Sequence, residues 1–296
     1  MYKKNLTIII VTYNVKSLLK ELLESIDESN DKLNKEIFVV DNGNDDTYKL
    51  FQNNKKYIYI KNKDNLGFSK ANNIAYRRAQ GKYILILNPD TKIQKDTIDK
   101  MYSFMEENKD IVISTCKLSL PSGSLDPSCK RNFPTIKSSL GKIFHLSKIS
   151  SKFEGYNIFG EEDVQMDIDA CSGAFMFIRK DKIKNKKFLF DESFWAMGED
   201  LDLCLRVKES GGRIVYYPKT SVLHYKGASG GIKDTSQKYT KADMVVKKRW
   251  IRAYRDAMKI FYSKHYKKNH TFITNILVNF GIDIDYIIKI IKLYFL

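Results

Sequence analysis

Tyr83-Ile-Leu-Ile-Leu-Asn-Pro-Asp-Thr91 joins a short apolar run directly to a polar turn, and this stretch decides the predicted fold. A run of this length that ends at turn residues is typical of a strand buried on both faces of a sheet. Similar runs occupy residues 6–11, 36–40, 57–60 and 111–119. The amino-terminal part of the chain therefore contains five predicted strands.

The segments between these runs favour helices. Residues 16–28 carry aliphatic side chains at helical spacing, namely Leu18, Leu19, Leu22, Leu23 and Ile26. We predict further helices at 45–53, 68–80 and 96–107. Strands that alternate with helices predict an α/β fold in which right-handed crossovers build a mostly parallel, Rossmann-like sheet.

The pattern changes in the second half of the chain. Predicted strands occupy residues 167–171, 174–179, 213–217 and 220–223. An amphipathic helix is predicted at 199–210, where two glycines end it, and residues 124–165 show no regular pattern. We therefore expect a mixed second half that packs on the parallel half.

Positive charge is concentrated near the carboxyl end. The 296 residues include 51 Lys and Arg against 35 Asp and Glu, which gives a formal net charge of +16. Residues 233–270 hold twelve Lys and Arg but only three Asp, so this segment alone contributes +9, and residues 272–296 are strongly apolar. We therefore predict a globular domain at 1–231 and a basic, then apolar, helical tail at 232–296.

The composition of the tail suggests where in the cell the protein is located. A basic helix followed by an apolar one suits an anionic membrane surface. The sequence has no run of 18 uncharged apolar residues, so we predict no membrane-spanning helix. The same helices would also suit packing on the domain or a homodimer contact. We expect a cytoplasmic protein, held peripherally at the inner face of the cell membrane.

Other protein classes have little support in the sequence. The four cysteines have no Cys-X-X-Cys spacing, which argues against a zinc or dithiol site. The apolar run at 6–11 is too short for a secretory signal peptide. The charge alone would suit nucleic acid, but it lies beside apolar helices and no nucleic-acid-binding motif is evident, so we expect no nucleic-acid partner.

Polar residues follow three of the predicted parallel strands. Thr12 and Asn14 follow the first strand, Asp41 ends the second, and Asn88 and Asp90 follow the fourth. Ligands of such sheets bind in the crevice at the carboxyl ends of the strands. A carboxylate there can hold Mg²⁺ together with a diphosphate. Taken singly, however, residues 88–91 also fit a plain turn, and Asp41 fits an Asx turn or a helix cap.

Asn65 and Gly67 precede the predicted helix that contains Asn72. Free N–H groups at the start of a helix bind phosphate, and Lys70 would add a donor. One glycine is a weak signal, and Ser69 would also serve as an ordinary helix cap. This stretch alone is weak evidence for a phosphate contact. It supports one only together with the polar residues that follow the predicted strands.

Glu199, Asp200 and His224 could each have either a chemical role or an ordinary structural role. Glu199 and Asp200 begin a predicted helix, where acids are stabilising, but either carboxylate could act as a general base beside Trp195. His224 ends a predicted strand before a glycine-rich loop. A lone His is usually structural, although this position would suit a metal ligand or the hinge of a lid.

The order and spacing of these clusters resemble the family 2 glycosyltransferases, which have the GT-A fold. The resemblance covers about residues 5–230. It is carried by residues 10–14, 39–42, 65–68 with 72–73, 87–91, 172–174, 198–204 and His224. The Asn-Pro-Asp-Thr form, the stretch at 127–134 and the Gly-Glu-Asp segment are most similar to the rhamnosyltransferase-like subgroup.

The resemblance implies a role for each stretch. Residues that would bind the donor nucleotide are Thr12, Asn14, Asp41, Asn65, Gly67, Asn72 and Asn88. Asp90 and His224 would hold Mg²⁺ or Mn²⁺, with Asn88 in place of the first Asp of the family's Asp-X-Asp motif. Asp200 would be the catalytic base with Glu199 as its neighbour, and Trp195 would contact the acceptor.

The implied reaction is an inverting sugar transfer in the assembly of a cell-surface polysaccharide. The donor would be dTDP-rhamnose, or a UDP-hexose, and the acceptor a hydroxyl group of a glycan or lipid-linked saccharide. A sugar nucleotidyltransferase has a similar sheet but usually a Gly-rich basic loop after its first strand, where this chain has Tyr13-Asn-Val-Lys16. A non-catalytic scaffold is disfavoured because Asp90, Asp200 and His224 are all present.

Overall fold

The computed structural model describes residues 2–135, 138, 155–227 and 243–295. Within these ranges, one nine-stranded sheet has the order β3-β2-β1-β4-β8-β6-β9-β5, and β7 pairs with β9. The strands are β1 Lys4–Thr12, β2 Lys35–Asp41, β3 Tyr57–Lys61, β4 Gly81–Leu87, β5 Thr91–Ile93, β6 Ile111–Ser119, β7 Met166–Asp167, β8 Phe175–Arg179 and β9 Arg213–His224.

Helices flank this sheet and follow it at the carboxyl end. They are α1 Lys16–Asp27, α2 Phe68–Tyr76, α3 Thr97–Glu107, α4 Glu199–Glu209, α5 Met244–His265 and α6 Phe272–Phe295. The predicted α/β fold is therefore confirmed. The aliphatic face predicted for α1 is buried in the core, where a fully buried Leu contributes about 2 kcal/mol.

Four strands form the parallel half of the sheet. β1 lies between β2 and β4 and is parallel to both, and β3 is parallel to β2. The register pairs Thr12 with Asp41 at the carboxyl ends of β1 and β2. The polar residues that end these strands therefore lie at one edge of the sheet, as predicted.

The second half of the sheet is mixed, as expected. β8 lies between β4 and β6 and is antiparallel to both, whereas β9 is parallel to β6. β5 is antiparallel to β9, and the pair Thr91–His224 joins their ends. β9 is one continuous strand where two were predicted, with a register shift against β6 between Cys116 and Lys117.

Some predicted boundaries are wrong. The helix predicted at 45–53 is a short 3-10 helix, Asp46–Leu50, that begins after an Asp45 cap. α2 ends at Tyr76, earlier than predicted, and the strand predicted at 167–171 is reduced to the two residues of β7. The ends of such short elements depend on local hydrogen bonds, such as the bond from Thr47 N to the Asp45 carboxylate.

The tail folds back onto the rest of the protein. Ala257 and Phe261 of α5 pack on Phe194 in a small buried cluster. Lys264 and His265 at the end of α5 bind Asp202 of α4, with N–O distances of 2.7 and 2.9 Å. The predicted domain boundary at residue 231 lies outside the described residues. None of the described helices is both long and apolar enough to span a bilayer.

Candidate active site

The turn after β4 brings a carboxylate and an imidazole together. The antiparallel pairing of β5 with β9 sets His224 opposite Thr91, and therefore beside Asp90. The distance from His224 Nε2 to Asp90 Oδ1 is 3.7 Å. Asp90 is 1% exposed and His224 is 5% exposed, so both groups lie at the floor of the site.

Asp126 fixes the orientation of His224 from the other side of the ring. His224 Nδ1 lies 2.8 Å from Asp126 Oδ2, and the second oxygen of Asp126 accepts hydrogen bonds from Ser128 and Lys226. The Nδ1 contact directs Nε2 towards Asp90, which is how metal-binding histidines are commonly oriented. Sequence reasoning missed Asp126, because an Asp before Pro127 gives only a turn signal.

These groups together stabilise a positive charge. Burial opposes protonation of His224, but the Asp90 charge and the hydrogen bond to Asp126 raise the His224 pKa to about 9. Burial likewise disfavours the Asp126 carboxylate, but His224 and Lys226 hold the Asp126 pKa well below its usual range. At neutral pH a proton on His224 therefore lies between two carboxylates. A divalent cation at this place would replace that proton, because a histidine binds a metal in its neutral form.

The donor set fits a cation that a substrate helps to hold. Among the residues that the structure describes, no group of three or more His, Cys, Asp or Glu side chains gathers at one point. Mg²⁺ commonly takes one or two protein carboxylates and completes its shell with phosphate and water. Asp90 and His224 would therefore bind such a cation together with a diphosphate rather than alone.

Asp200 lies at the start of α4 in a buried ion pair. Gly198, with φ +85°, turns the chain into the helix just before Glu199. Arg131 donates a 2.6 Å hydrogen bond to Asp200 Oδ2 and a 2.7 Å bond to the carbonyl of Cys171. The ion pair holds the Asp200 carboxylate in one position, which suits a general base.

Glu199 is buried beside Asp200 at the start of α4. Burial, and then the charge of Asp200, raise the pKa of the Glu199 carboxyl above its usual range. Within the described part of the chain, Glu199 Oε2 is buried without a hydrogen-bond partner. Asp200, which Arg131 holds in one position, is therefore the better placed of the two for proton removal.

Asp202, one of the acids near the start of α4, has a structural role. It forms a 2.8 Å ion pair with Arg206, one turn further along α4. His265 and Lys264 of α5 bind its other oxygen, and despite burial these contacts hold the Asp202 pKa well below its usual range. Asp202 therefore fixes α5 on α4.

The predicted nucleotide-binding residues form a separate group at the ends of β1 and β2. Asp41 accepts hydrogen bonds from Gly43 N and from the Tyr59 hydroxyl, at 2.7 and 2.6 Å. Asn14 Oδ1 accepts a 2.7 Å bond from Asn44 N. The Asp41 contacts include the Asx turn that the sequence left open, so its nucleotide role stays a prediction.

The remaining predicted nucleotide-binding positions lie around the start of α2. Gly67 has φ +84°, and a Cβ there would meet Trp195 at 2.2–2.8 Å, so this position requires glycine. Asn65 Oδ1 accepts a bond from Gly67 N, while Thr12 Oγ1 and Asn72 Oδ1 are buried without partners within the described residues. Buried polar atoms of this kind remain available to a ligand.

One cavity of about 720 Å³ connects several predicted site residues. Asn88, Asp90, Glu199, Asp200 and His224 all line it. Among the predicted residues, those that do not line it are Thr12, Asn14, Asp41, Asn65, Gly67, Asn72 and Trp195. The predicted metal-binding residues and the predicted base therefore line the same cavity.

Trp195 lies beside this cavity rather than in its wall. Its ring packs 4.2 Å from the Arg249 guanidinium and edge-on to Trp250, with 5.7 Å between the ring centroids. Trp250 of α5 does line the cavity. The acceptor role predicted for Trp195 stays untested, and sequence reasoning missed Trp250 because it lies in the tail.

The chain is similar to known proteins in both sequence and fold. The model of the family described as "Glycosyl transferase family 2" matches residues 7–185. The chain is 30% identical over 229 residues to the rhamnosyltransferase WbbL of Escherichia coli K12, covering 74% of this chain and 82% of WbbL.

Solved structures show a likeness in fold. Staphylococcus aureus TarS 1-349 in complex with UDP-GlcNAc is 15% identical with a TM-score of 0.57, and the match covers 93% of this chain and 70% of TarS. The mannosyltransferase PcManGT of Pyrobaculum calidifontis, in complex with GDP-Man and Mn²⁺, is 16% identical with a TM-score of 0.56. That match covers 89% of this chain and 64% of PcManGT.

Proposed function

The chain belongs to glycosyltransferase family 2 and has the GT-A fold, and from this premise we propose an inverting transfer of a sugar from a nucleoside diphosphate to a saccharide hydroxyl group. The observation that carries the proposal is the single cavity lined by both Asp200 and the Asp90–His224 pair. A donor diphosphate at Asp90 and an acceptor hydroxyl at Asp200 would meet in this cavity.

In this mechanism Asp200 is the base. Its carboxylate accepts the proton of the acceptor hydroxyl while that oxygen attacks the anomeric carbon from the face opposite the leaving group. The bond between the anomeric carbon and the diphosphate oxygen breaks in the same step, and the nucleoside diphosphate leaves with the electron pair. Arg131 keeps the carboxylate directed at the cavity, and Glu199 lines the cavity beside it.

Asp90 and His224 would hold Mg²⁺ or Mn²⁺ at the donor end. The cation, when bound, offsets the charge that develops on the departing diphosphate. Asn88 lines the same part of the cavity and would contact the donor, while Asp126 keeps His224 Nε2 turned towards Asp90. Thr12, Asn14, Asp41, Asn65, Gly67 and Asn72 would bind the nucleoside beyond this point.

The proposed donor is dTDP-rhamnose and the proposed acceptor belongs to a cell-surface polysaccharide. The likeness to the rhamnosyltransferase WbbL, at 30% identity over most of both chains, supports rhamnose as the sugar. A UDP-hexose is the competing donor, because the same fold binds UDP-GlcNAc in TarS.

A thermal-shift screen tests the donor. With Mg²⁺ present, we expect dTDP-rhamnose at about 100 times its Kd to raise the melting temperature by roughly 5 °C. UDP-glucose and UDP-GlcNAc serve as the comparison under the same conditions. If a UDP-sugar raised the melting temperature and dTDP-rhamnose did not, dTDP-rhamnose would be rejected as the donor.

We also propose that the tail holds the enzyme at an anionic membrane. The outward face of α6 exposes large apolar side chains, including Ile273, Ile276, Leu277, Phe280, Ile287 and Ile291. Basic residues of α5 lie next to it, although Lys259 and Lys264 are already paired with Asp283 and Asp202. Apolar contact is therefore expected to contribute more to membrane binding than charge.

Liposome flotation tests this location. The full chain is expected to float with vesicles that contain anionic lipid, and the double variant Ile276→Asp/Phe280→Asp is expected to stay in the soluble fraction. Phe159→Asp is the matched control, because Phe159 is also an exposed apolar residue but lies outside the tail. Equal flotation of the full chain and the double variant would reject the exposed face of α6 as the membrane contact, and failure of the full chain to float would remove the membrane proposal.

A further inference from the structure

The catalytic cavity does not end at Asp200 but continues between α5 and α6. On the α5 side its walls are Trp250, Met258, Phe261 and Tyr262, and on the α6 side they are Val278 and Ile282. Gly281 also lines this part, which we call the α5–α6 cleft. Whatever occupies the site at Asp200 therefore has room to extend into a space between two helices.

The lining of the α5–α6 cleft is apolar and its polar groups already have partners. The Tyr262 hydroxyl donates a 2.7 Å hydrogen bond to Asn275. Asp285 and Lys289, which also line the cavity, form an ion pair with each other. A polar sugar chain in such a space would lose its hydrogen bonds to water and find few replacements.

We propose that the α5–α6 cleft binds the hydrocarbon chain of an amphiphilic acceptor, whose hydroxyl-bearing head lies at Asp200. This inference rests on the proposed function for the position of the head. The chain itself is held by apolar contact alone, which strengthens binding about fourfold for each buried methylene. The acceptor would thus be recognised at both of its ends.

The outer side of the same helix supports a lipid chain as the occupant. α6 has 24 residues, about 36 Å of helix, and presents an apolar face outward and the cleft inward. A face of this kind is suited to the boundary between head groups and acyl chains. A hydrocarbon chain that leaves a bilayer at α6 would therefore pass from one apolar environment directly into another.

A larger side chain at Gly281 is expected to fill the cleft while α6 still folds. A Cβ built at Gly281 meets no heavy atom within 4 Å, so a larger side chain there would enter the open space. Glycine is also the poorest helix former apart from proline, so its replacement favours α6. Gly281→Phe should therefore fill the cleft in a folded protein. Leu277→Phe, one turn away on the exposed face, is the matched control.

The two tryptophans of the chain allow a direct binding measurement. Trp250 lines the cleft and Trp195 packs edge-on against it, and they are the whole tryptophan content of the protein. Bromine quenches indole fluorescence at contact range. We therefore choose 11-bromoundecyl β-D-glucoside as the probe, below its micelle concentration and without membranes or donor.

The full-length protein should show saturable quenching that undecyl β-D-glucoside reverses and methyl β-D-glucoside does not. Gly281→Phe should weaken this binding at least tenfold, whereas Leu277→Phe should bind as the unsubstituted protein does. An absence of quenching, or equal quenching in Gly281→Phe, would overturn the inference. Because no donor or turnover is involved, quenching without sugar transfer would reject only the proposed function. Transfer to a short-chain acceptor without quenching would reject only the cleft.

Discussion

Asp200→Asn is expected to lower the transfer rate about 10³-fold while the donor still binds, because general acid–base catalysis commonly contributes 10²–10⁴-fold. The amide preserves the shape of the side chain and can still accept the hydrogen bond from Arg131, but it cannot take a proton from the acceptor. The rate is measured as release of nucleoside diphosphate from dTDP-rhamnose, and donor binding is measured by calorimetry on the same sample.

The matched control for this variant is Asp202→Asn, two residues further along α4. Asp202 binds Arg206, Lys264 and His265 and does not line the cavity. Its replacement should lower the melting temperature, since it removes the charge that joins α5 to α4, but turnover of the folded protein should remain near normal. Near-normal turnover in Asp200→Asn would reject Asp200 as the base, and a comparable loss in both variants would indicate a structural effect.

Asp90→Ala is the second variant for which we expect a large effect. Removal of the carboxylate leaves His224 as the remaining protein ligand proposed for the cation, so metal-dependent donor binding should weaken by about 100-fold or more. Calorimetric titration with nucleoside diphosphate, with and without Mn²⁺, separates the metal-dependent part from binding of the nucleoside. The metal-independent part should be unchanged.

Asp126→Asn provides an intermediate comparison for the same site. The amide keeps a group near His224 Nδ1 but removes the charge that supports the ring. Loss of such a supporting carboxylate typically costs 10- to 100-fold in metal affinity. For Asp90→Ala, an unchanged effect of Mn²⁺ on nucleoside diphosphate binding would contradict the proposed metal site. Residues 88–91 would then be an ordinary turn.

The parallel half of the fold and its polar edge could be predicted from the sequence. The buried runs of β1, β2 and β4 are continuous and apolar, and a strand buried on both faces has few other solutions. The positions of Asp41 and Asp90 follow from this, because parallel strands end at the same edge of a sheet. The local hydrophobic pattern was therefore sufficient to predict that the polar strand ends lie at one edge of the sheet.

The rest of the site depends on contacts between distant residues. Asp126 is adjacent to His224 only because β9 pairs with both β5 and β6, and nothing near Asp126 in the sequence indicates this. The insertion of β8 between β4 and β6 is likewise a matter of sheet order. Arg131 was part of a stretch used for the resemblance, but its ion pair with Asp200 has no local signal.

The tail was the least predictable part. Its charge and apolar residues suggested an interface of some kind, and the sequence left a membrane, a homodimer and packing on the domain open. In the structure α5 packs on α4 through Phe261 and Asp202, and Trp250 reaches the cavity. The outward face of α6 remains exposed. The tail therefore has two sides, of which one completes the cavity.

The stereochemistry of the product tests the central claim most directly. A single displacement with Asp200 as the base inverts the anomeric carbon, so dTDP-β-L-rhamnose should give an α-linked rhamnoside. The measurement is the anomeric signal in the NMR spectrum of the purified product. An α-linked product is the result that the mechanism predicts, and a β-linked product would contradict it, because retention requires a second displacement for which the mechanism has no nucleophile.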